Sequence, residues 1–365
     1  MSAASRTIHP LAMPDLPKAV VDEQGHPQFG VYRGIPEEID LSGLGHPYSR
    51  NRLGEFLRHK RWMYIFATTD EIQIAGAIVD AGPTGTGFLS VTDRATGEKL
   101  ADASRPGGTR PLVRVSNKPA AGHRSHYVLP GTLMTARADD RDLRFQASFH
   151  LIPFLPMLSD PWIDLDLWLE LDAHDGITAV SEIAGSPPMV TTTAKNAALP
   201  VRGQLTLNRD GHSTEFSLAA GLGGFDFTSG FLPRETSWRW AFSVGQSADN
   251  RSVGLNLTSD FTGMGGRSGE NMIWLDGVPH RLNPSADISF DQTEPLKPWH
   301  ITTSDGAVDL IFNPMSVHKE SLNLGAVRSN FIQPAGHFSG SVRVGDERIV
   351  VDALPGVVED QDILW

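Results

Sequence analysis

The sequence predicts an all-β protein, and three observations carry that prediction. Apolar residues alternate with polar ones over many short runs, most regularly in the second half. Turn signals recur about every ten residues, the spacing of an all-β sandwich or barrel. The 36 Gly and 25 Pro are scattered rather than pooled, which punctuates the chain too often for long helices. A length of 365 residues suits two ordinary domains or one large pseudo-symmetric one, and 40% hydrophobic residues can fill its core.

Residues 1–45 are rich in Pro and Gly with little periodicity, and they predict an irregular lead-in wrapped on the body. Leu53, Phe56, Leu57 and Lys60 follow at helical spacing, with Ser49 as cap, so one short helix is expected. Arg61-Trp62-Met63-Tyr64-Ile65-Phe66 ends in Thr68-Thr69-Asp70, and Ile72 to Val79 resumes after it, which reads as a hairpin. Leu165, Leu167, Leu169 and Leu171 share one strand face, and the intervening acids share the other with Trp168. Further on, Trp238, Trp240, Phe242 and Val244 share a face, with Ser237, Arg239, Ala241 and Ser243 opposite. Val253, Leu255 and Leu257 alternate with Ser252, Gly254 and Asn256. Val308, Leu310 and Phe312 follow the turn pair Asp305-Gly306, and Phe338, Val342 and Val344 close the pattern. Pro187-Pro188 to Pro200 marks a boundary, giving halves at 46–195 and 196–365 without a textual repeat.

The formal net charge of −12 repels phosphate backbones, which argues against a nucleic-acid partner. Cysteine is absent, so there is no disulfide framework, thiolate metal site or cysteine nucleophile. The first residues carry no apolar run, and no stretch is long enough to span a bilayer. The expectation is a cytoplasmic protein without a transmembrane segment.

Common catalytic motifs are missing. Gly336-His337-Phe338-Ser339-Gly340 puts its serine one place too late for a nucleophile elbow, and no Walker sequence occurs. Gly263-Met264-Gly265-Gly266-Arg267-Ser268-Gly269 lacks the third glycine of a dinucleotide fingerprint. It reads as a flexible loop, or as a lid or anion nest with Arg267 supplying charge. His123 and His126 stand three apart without a matching carboxylate, so no metal site is expected. Trp238 and Trp240 read either as core or as the wall of an apolar pocket. Asn256, Glu270 and Asn271 read as loop hydrogen bonding, or as polar groups near a barrel mouth that position a ligand. Glu359-Asp360 after Leu354-Pro355-Gly356-Val357-Val358 reads on its own as a solvated turn.

Several of these residues recur in one order. They are Lys60-Arg61-Trp62, Trp238-Arg239-Trp240-Ala241, Gly254-Leu255-Asn256-Leu257, Glu270-Asn271, Trp299, Asp309-Leu310-x-Phe312-x-Pro314, Gln333, Gly336-x-Phe338-x-Gly340 and Gly356-x-x-Glu359-Asp360. From about residue 25 to the end, the chain resembles a bacterial family of domains of unknown function. That family is similar in turn to the AttH and carotenoid 1,2-hydratase group of lipocalin-like proteins. The resemblance implies two lipocalin-like antiparallel β-barrel halves packed together, with few short helices. The related group includes enzymes that hydrate, isomerise or cyclise polyprenyl and polyketide chains without a cofactor.

What the resemblance implies here is a cofactor-free hydratase, isomerase or cyclase on a terpenoid- or lipid-like substrate held in a barrel cavity. Asp226, Glu270, Glu359 and Asp360 are the candidate acids and bases. Trp238 and Trp240 are candidate walls, and Asn256, Arg267, Asn271 and His337 candidate ligand contacts. Arg239 faces away from the two tryptophans. The alternatives are a carrier for a hydrophobic small molecule and an interaction module with a filled core. An enzyme should bury a carboxylate of raised pKa in its cavity, a carrier should line it with apolar groups only, and a filled module should have none.

Overall fold

Period-two patterning becomes paired strands almost throughout. The structure is a computed structural model that describes residues 13–151, 161–209, 211–259, 261–263, 269–282, 286–323, 325 and 327–365. Among these residues it contains 23 β-strands and one α-helix. The first sheet takes β1 (Gly30–Arg33), β2 (His59–Thr68), β3 (Ile72–Asp80), β4 (Gly85–Asp93), β5 (Lys99–Pro106), β6 (Val113–Val115) and β7 (Arg124–Leu129). It continues with β8 (Thr132–Ala138), β9 (Asp142–His150), β10 (Pro161–Glu170), β11 (Ile177–Ile183), β12 (Met189–Arg209), β13 (His212–Ser217) and β14 (Gly221–Phe231). The second sheet takes β15 (Glu235–Gln246), β16 (Ser252–Ser259), β17 (Met272–Leu275), β18 (Val278–Arg281), β19 (Ala286–Ser289), β20 (Trp299–Thr303), β21 (Val308–Asn323), β22 (Arg328–Val344) and β23 (Glu347–Leu364).

The main path of the first sheet is β5-β4-β3-β2-β14-β12-β10-β9-β8-β7-β6, and that of the second is β18-β17-β16-β15-β23-β22-β21-β20-β19. Each sheet curls until its ends approach, β6 against β3 and β19 against β16. The result is two antiparallel half-barrels. The chain passes from one sheet to the other between Phe231 and Glu235. The division read from the prolines, at 195/196, falls inside β12.

Alternation along each strand divides the apolar residues among three layers. In β2, Met63, Ile65 and Ala67 fill the first half-barrel, while Tyr64 and Phe66 face the second sheet with Trp62 packed beside them. In β15, Ala241 belongs to the interior of the second half-barrel, while Trp240, Phe242 and Val244 face the first sheet. A strand covered on both faces reads as a continuous apolar run, which explains Trp62 to Ala67. The N-terminal lead-in adds Val20, Ile39, Leu41 and Leu44 to the first interior.

The helix is α1 (Arg52–Arg58), with Asn51 rather than Ser49 as its cap; Asn51 Oδ1 accepts from Gly54 N–H at 2.8 Å. Lys60 belongs to β2, and the helically spaced Leu53, Phe56 and Leu57 are exposed. The helix is too short to fix an inward face by periodicity. Where the two sheets press closest, glycine makes the approach possible. A Cβ on Gly254 would lie 2.5 Å from Ala197 Cβ, and one on Gly224 would lie 2.7 Å from the Phe242 ring. Gly254→Val should therefore lower stability by at least about 2 kcal/mol in urea denaturation, because neither backbone can retreat without unpairing its sheet.

Candidate functional site

The layer between the sheets holds a cavity built from facing cross-strand rungs. Residues opposite each other on antiparallel strands share a face and stand about 5 Å apart. On the first sheet one rung runs Lys195, Asp226, Tyr64, Ala77, Phe88, and its neighbour runs Thr193, Thr228, Trp62, Val79, Thr86. On the second sheet one rung carries Thr258, Trp240 and Glu359, and the next carries Trp238, Gln361, Phe331 and Glu320. All of these residues line one cavity of about 140 Å³. That is room for on the order of ten waters or one ring-sized molecule. The half-buried Trp62, Trp238, Phe261, Ile363 and Trp365 surround the outer part, and the floor is buried and charged. Trp238 stacks between Trp62 and Phe261, at 6.0 and 5.6 Å.

Lys195 organises the floor. Its Nζ lies 2.9 Å from Asp226 Oδ2 and 3.0 Å from Glu270 Oε2. Thr193 Oγ1 donates to the same Glu270 oxygen at 3.0 Å. The ammonium sits 5.3 Å from the Trp240 ring centroid, within cation–π range. Burial opposes the charge on Lys195, but Asp226 and Glu270 outweigh it and hold its pKa above the ordinary lysine value. Burial raises the pKa of Asp226, and Lys195 only partly pulls it back.

Glu359 lives in a different environment. It is buried, accepts from Trp238 Nε1 at 2.6 Å and from Gln333 Nε2 at 2.9 Å, and forms no ion pair among the described residues. Burial lifts its pKa, the two hydrogen bonds lower it, and nearby Asp226 raises it again; the net value is about 7. Burial likewise keeps the Tyr64 phenol protonated well above its usual range.

At the cavity edge, buried His318 bonds through Nδ1 to Asp102 and lies 3.3 Å from Glu320 through Nε2. Its ring stacks on Phe88 at 4.8 Å. Burial works against its charge, but the two carboxylates lift its pKa to about 9. This contact ties β5 of the first sheet to β21 of the second.

Of the candidate residues, Asp226, Glu270, Glu359, Trp238 and Trp240 meet at the cavity. Asn256 and Asn271 stand behind it. Asn256 accepts from Trp240 Nε1 at 2.7 Å and donates to the Glu270 carbonyl at 2.6 Å; Asn271 Oδ1 accepts from Thr258 N–H at 2.8 Å. Asp360 is excluded by strand alternation, because it points to the opposite face of β23 and pairs with Arg239 at 3.0 Å. The pair Glu359-Asp360 is mid-strand, not a turn. His337 is half-buried in β22 beside Asn313 and Pro355, away from the cavity lining. Arg267 lies outside the described residues. The cavity lies between the half-barrels rather than inside either, because Phe145, Phe149 and Phe227 fill one interior and Trp299, Phe312 and Phe338 the other. His123 makes its bonds to Lys118 O at 2.6 Å and to Ser125 Oγ at 2.5 Å.

Sequence reasoning missed Lys195, Tyr64, Gln333 and His318. Thr191, Thr193 and Lys195 alternate in β12 as Trp62, Tyr64 and Phe66 do in β2, so a lone lysine on a covered strand face was a usable signal. His318 had none, since its partner Asp102 is 216 residues away.

Residues 13–365 match the family model described as a domain of unknown function, DUF2804. No curated protein matches the sequence. Among solved structures, kievitone hydratase from Nectria haematococca aligns at 13% identity and a TM-score of 0.42, over 87% of this chain and 93% of that one. An AttH candidate from Nitrosomonas europaea aligns at 13% identity and a TM-score of 0.45, over 88% and 98%. CghA aligns at 9% identity and a TM-score of 0.39, over 92% and 98%. No helix among the described residues is long and apolar enough to cross a membrane.

Removing the shared cation strands two buried carboxylates. Lys195→Met should cost about 3–5 kcal/mol in chemical denaturation, and adding Glu270→Gln to it should restore part of that loss.

Proposed function

The chain belongs to the DUF2804 family, and we propose that it is a cofactor-free acid–base enzyme acting on a largely hydrophobic small molecule, as a hydratase, isomerase or cyclase. One observation carries the reading: Glu359 is a buried carboxyl without an ion-pair partner among the described residues, lifted to about 7, and it lines a cavity walled by tryptophans. A pure carrier has no use for a desolvated acid of this kind.

Glu359 is the proton donor. A carboxyl held neutral near physiological pH can transfer its proton to an alkene or carbonyl of the substrate, leaving a carboxylate and a cationic or activated carbon. The apolar aromatic walls of the cavity keep water from the charge that develops. The proton that must leave, from attacking water or from a neighbouring carbon, goes to Asp226, whose partner Lys195 supports its charged form. Gln333 serves both states of Glu359, since one end of its amide donates to a carboxylate and the other accepts from a carboxylic acid.

The aromatic rim and apolar walls favour a second reading, a carrier for a hydrophobic molecule. A cytoplasmic setting belongs to the same proposal, since a chain without cysteine needs no oxidising compartment.

The test is proton exchange with solvent. The small-molecule fraction retained by the protein in its own host is extracted and returned to purified protein in D₂O. Deuterium should appear on carbon, and Glu359→Gln should slow it by about 100-fold or more. Because the donor must be protonated, the rate should fall as pH rises through about 7, and because Asp226 must be ionised to take a proton, it should fall again toward acid pH. Retention of the molecule with no exchange at any pH would point to the carrier.

A further inference from the structure

Buried polar atoms are nearly always paired, because an unpaired one keeps the full cost of leaving water. The floor of this cavity breaks that rule in one place several times over. Tyr64 Oη, Asp226 Oδ1 and the hydroxyls of Thr191, Thr228 and Thr258 are all buried without a hydrogen-bond partner among the described residues, and all five residues line the same cavity. Gln333 stands beside Tyr64 and Trp62 beside Asp226, but neither closes a bond of ordinary geometry. Tyr64 and Asp226 are register partners on β2 and β14, so their side chains stand side by side on the cavity wall.

The two free oxygens have opposite preferences. The Tyr64 phenol keeps its proton and offers a donor. Asp226 Oδ2 is taken by Lys195, which leaves Oδ1 as an acceptor. A hydroxyl satisfies both at once, since it accepts from the phenol and donates to the carboxylate through one atom. A hydrocarbon pressed onto this floor would leave both unpaired.

We propose that the ligand is an alcohol or phenol on an apolar ring skeleton, seated with its hydroxyl on the floor between Tyr64 Oη and Asp226 Oδ1 and its ring among the tryptophans. This names the substrate class for the acid–base reading and rests on that reading for its catalytic sense, though the binding claim stands without it. The hydroxyl anchors the molecule on the first sheet, and Glu359 reaches it from the second.

The test compares two probes of one shape, 2-naphthol and 2-methylnaphthalene, by equilibrium dialysis against the full chain. The expected result is at least about tenfold tighter retention of 2-naphthol. Tyr64→Phe should remove most of that preference while leaving 2-methylnaphthalene within about twofold. Asp226→Asn should weaken 2-naphthol in the same way, and circular dichroism checks that the variant is folded. Equal retention of the two probes, retention of neither, or a preference that survives Tyr64→Phe overturns the proposal. Glu359→Gln separates the two claims. A preference for 2-naphthol that persists in this variant, together with unchanged deuterium exchange, would sink the acid–base reading alone.

Discussion

One ammonium group holds the floor of the cavity together. Lys195 rises from β12 of the first sheet, takes Asp226 from β14 of the same sheet, and reaches Glu270 in the turn just ahead of the second half-barrel's β17. Two carboxylates and a lysine at such depth are tolerable only as a set, since each ion alone would carry a desolvation cost of several kcal/mol. The set therefore fixes how the sheets face each other. Asn256 and Thr193 serve it by orienting Glu270, and Asn256 carries the same constraint on to Trp240. Glycine at 254 and 224 lets the sheets touch on one side of this centre, and the bulky Trp62, Tyr64, Trp238 and Trp240 hold them apart on the other.

The same arrangement divides the acids by environment. Asp226 and Glu270 share a cation, whereas Glu359 is held by the neutral donors Trp238 and Gln333 and feels Lys195 only at a distance. Carboxyl groups placed so differently within one cavity can take opposite roles, one giving a proton and another receiving it. His318 extends the pattern to the cavity edge. Flanked by Asp102 and Glu320, it is kept charged, and it closes the layer between β5 and β21.

Much of this was legible in the sequence, and the rest failed for identifiable reasons. Alternation in 238–244 and 253–257 is enough to put Trp238 and Trp240 on one face and Asn256 opposite its leucines, because a strand's period is fixed by its geometry. The same period excludes either Glu359 or Asp360 from the cavity, but which one depends on the face that the second sheet turns inward, and that is a tertiary choice. Lys195 was passed over because a lysine in a strand ordinarily reads as solvated, although its alternation with Thr191 and Thr193 gave a signal. The cavity's position was hidden because an apolar strand such as 62–67 does not reveal which of its two covered faces meets a half-barrel interior and which meets the other sheet. His318 and Asp102 lie 216 residues apart and meet only through the packing of whole sheets.

The protonation of Glu359 is the centre of the account, and carbon-13 NMR of carboxyl-labelled glutamate reads it directly. The Glu359 resonance is assigned by its loss in Glu359→Gln and followed from acid to mildly alkaline pH. A midpoint near 7 is predicted for this buried acid. A midpoint at or below the ordinary value of 4.5 would mean that Glu359 is ionised at neutral pH, and would contradict its role as proton donor.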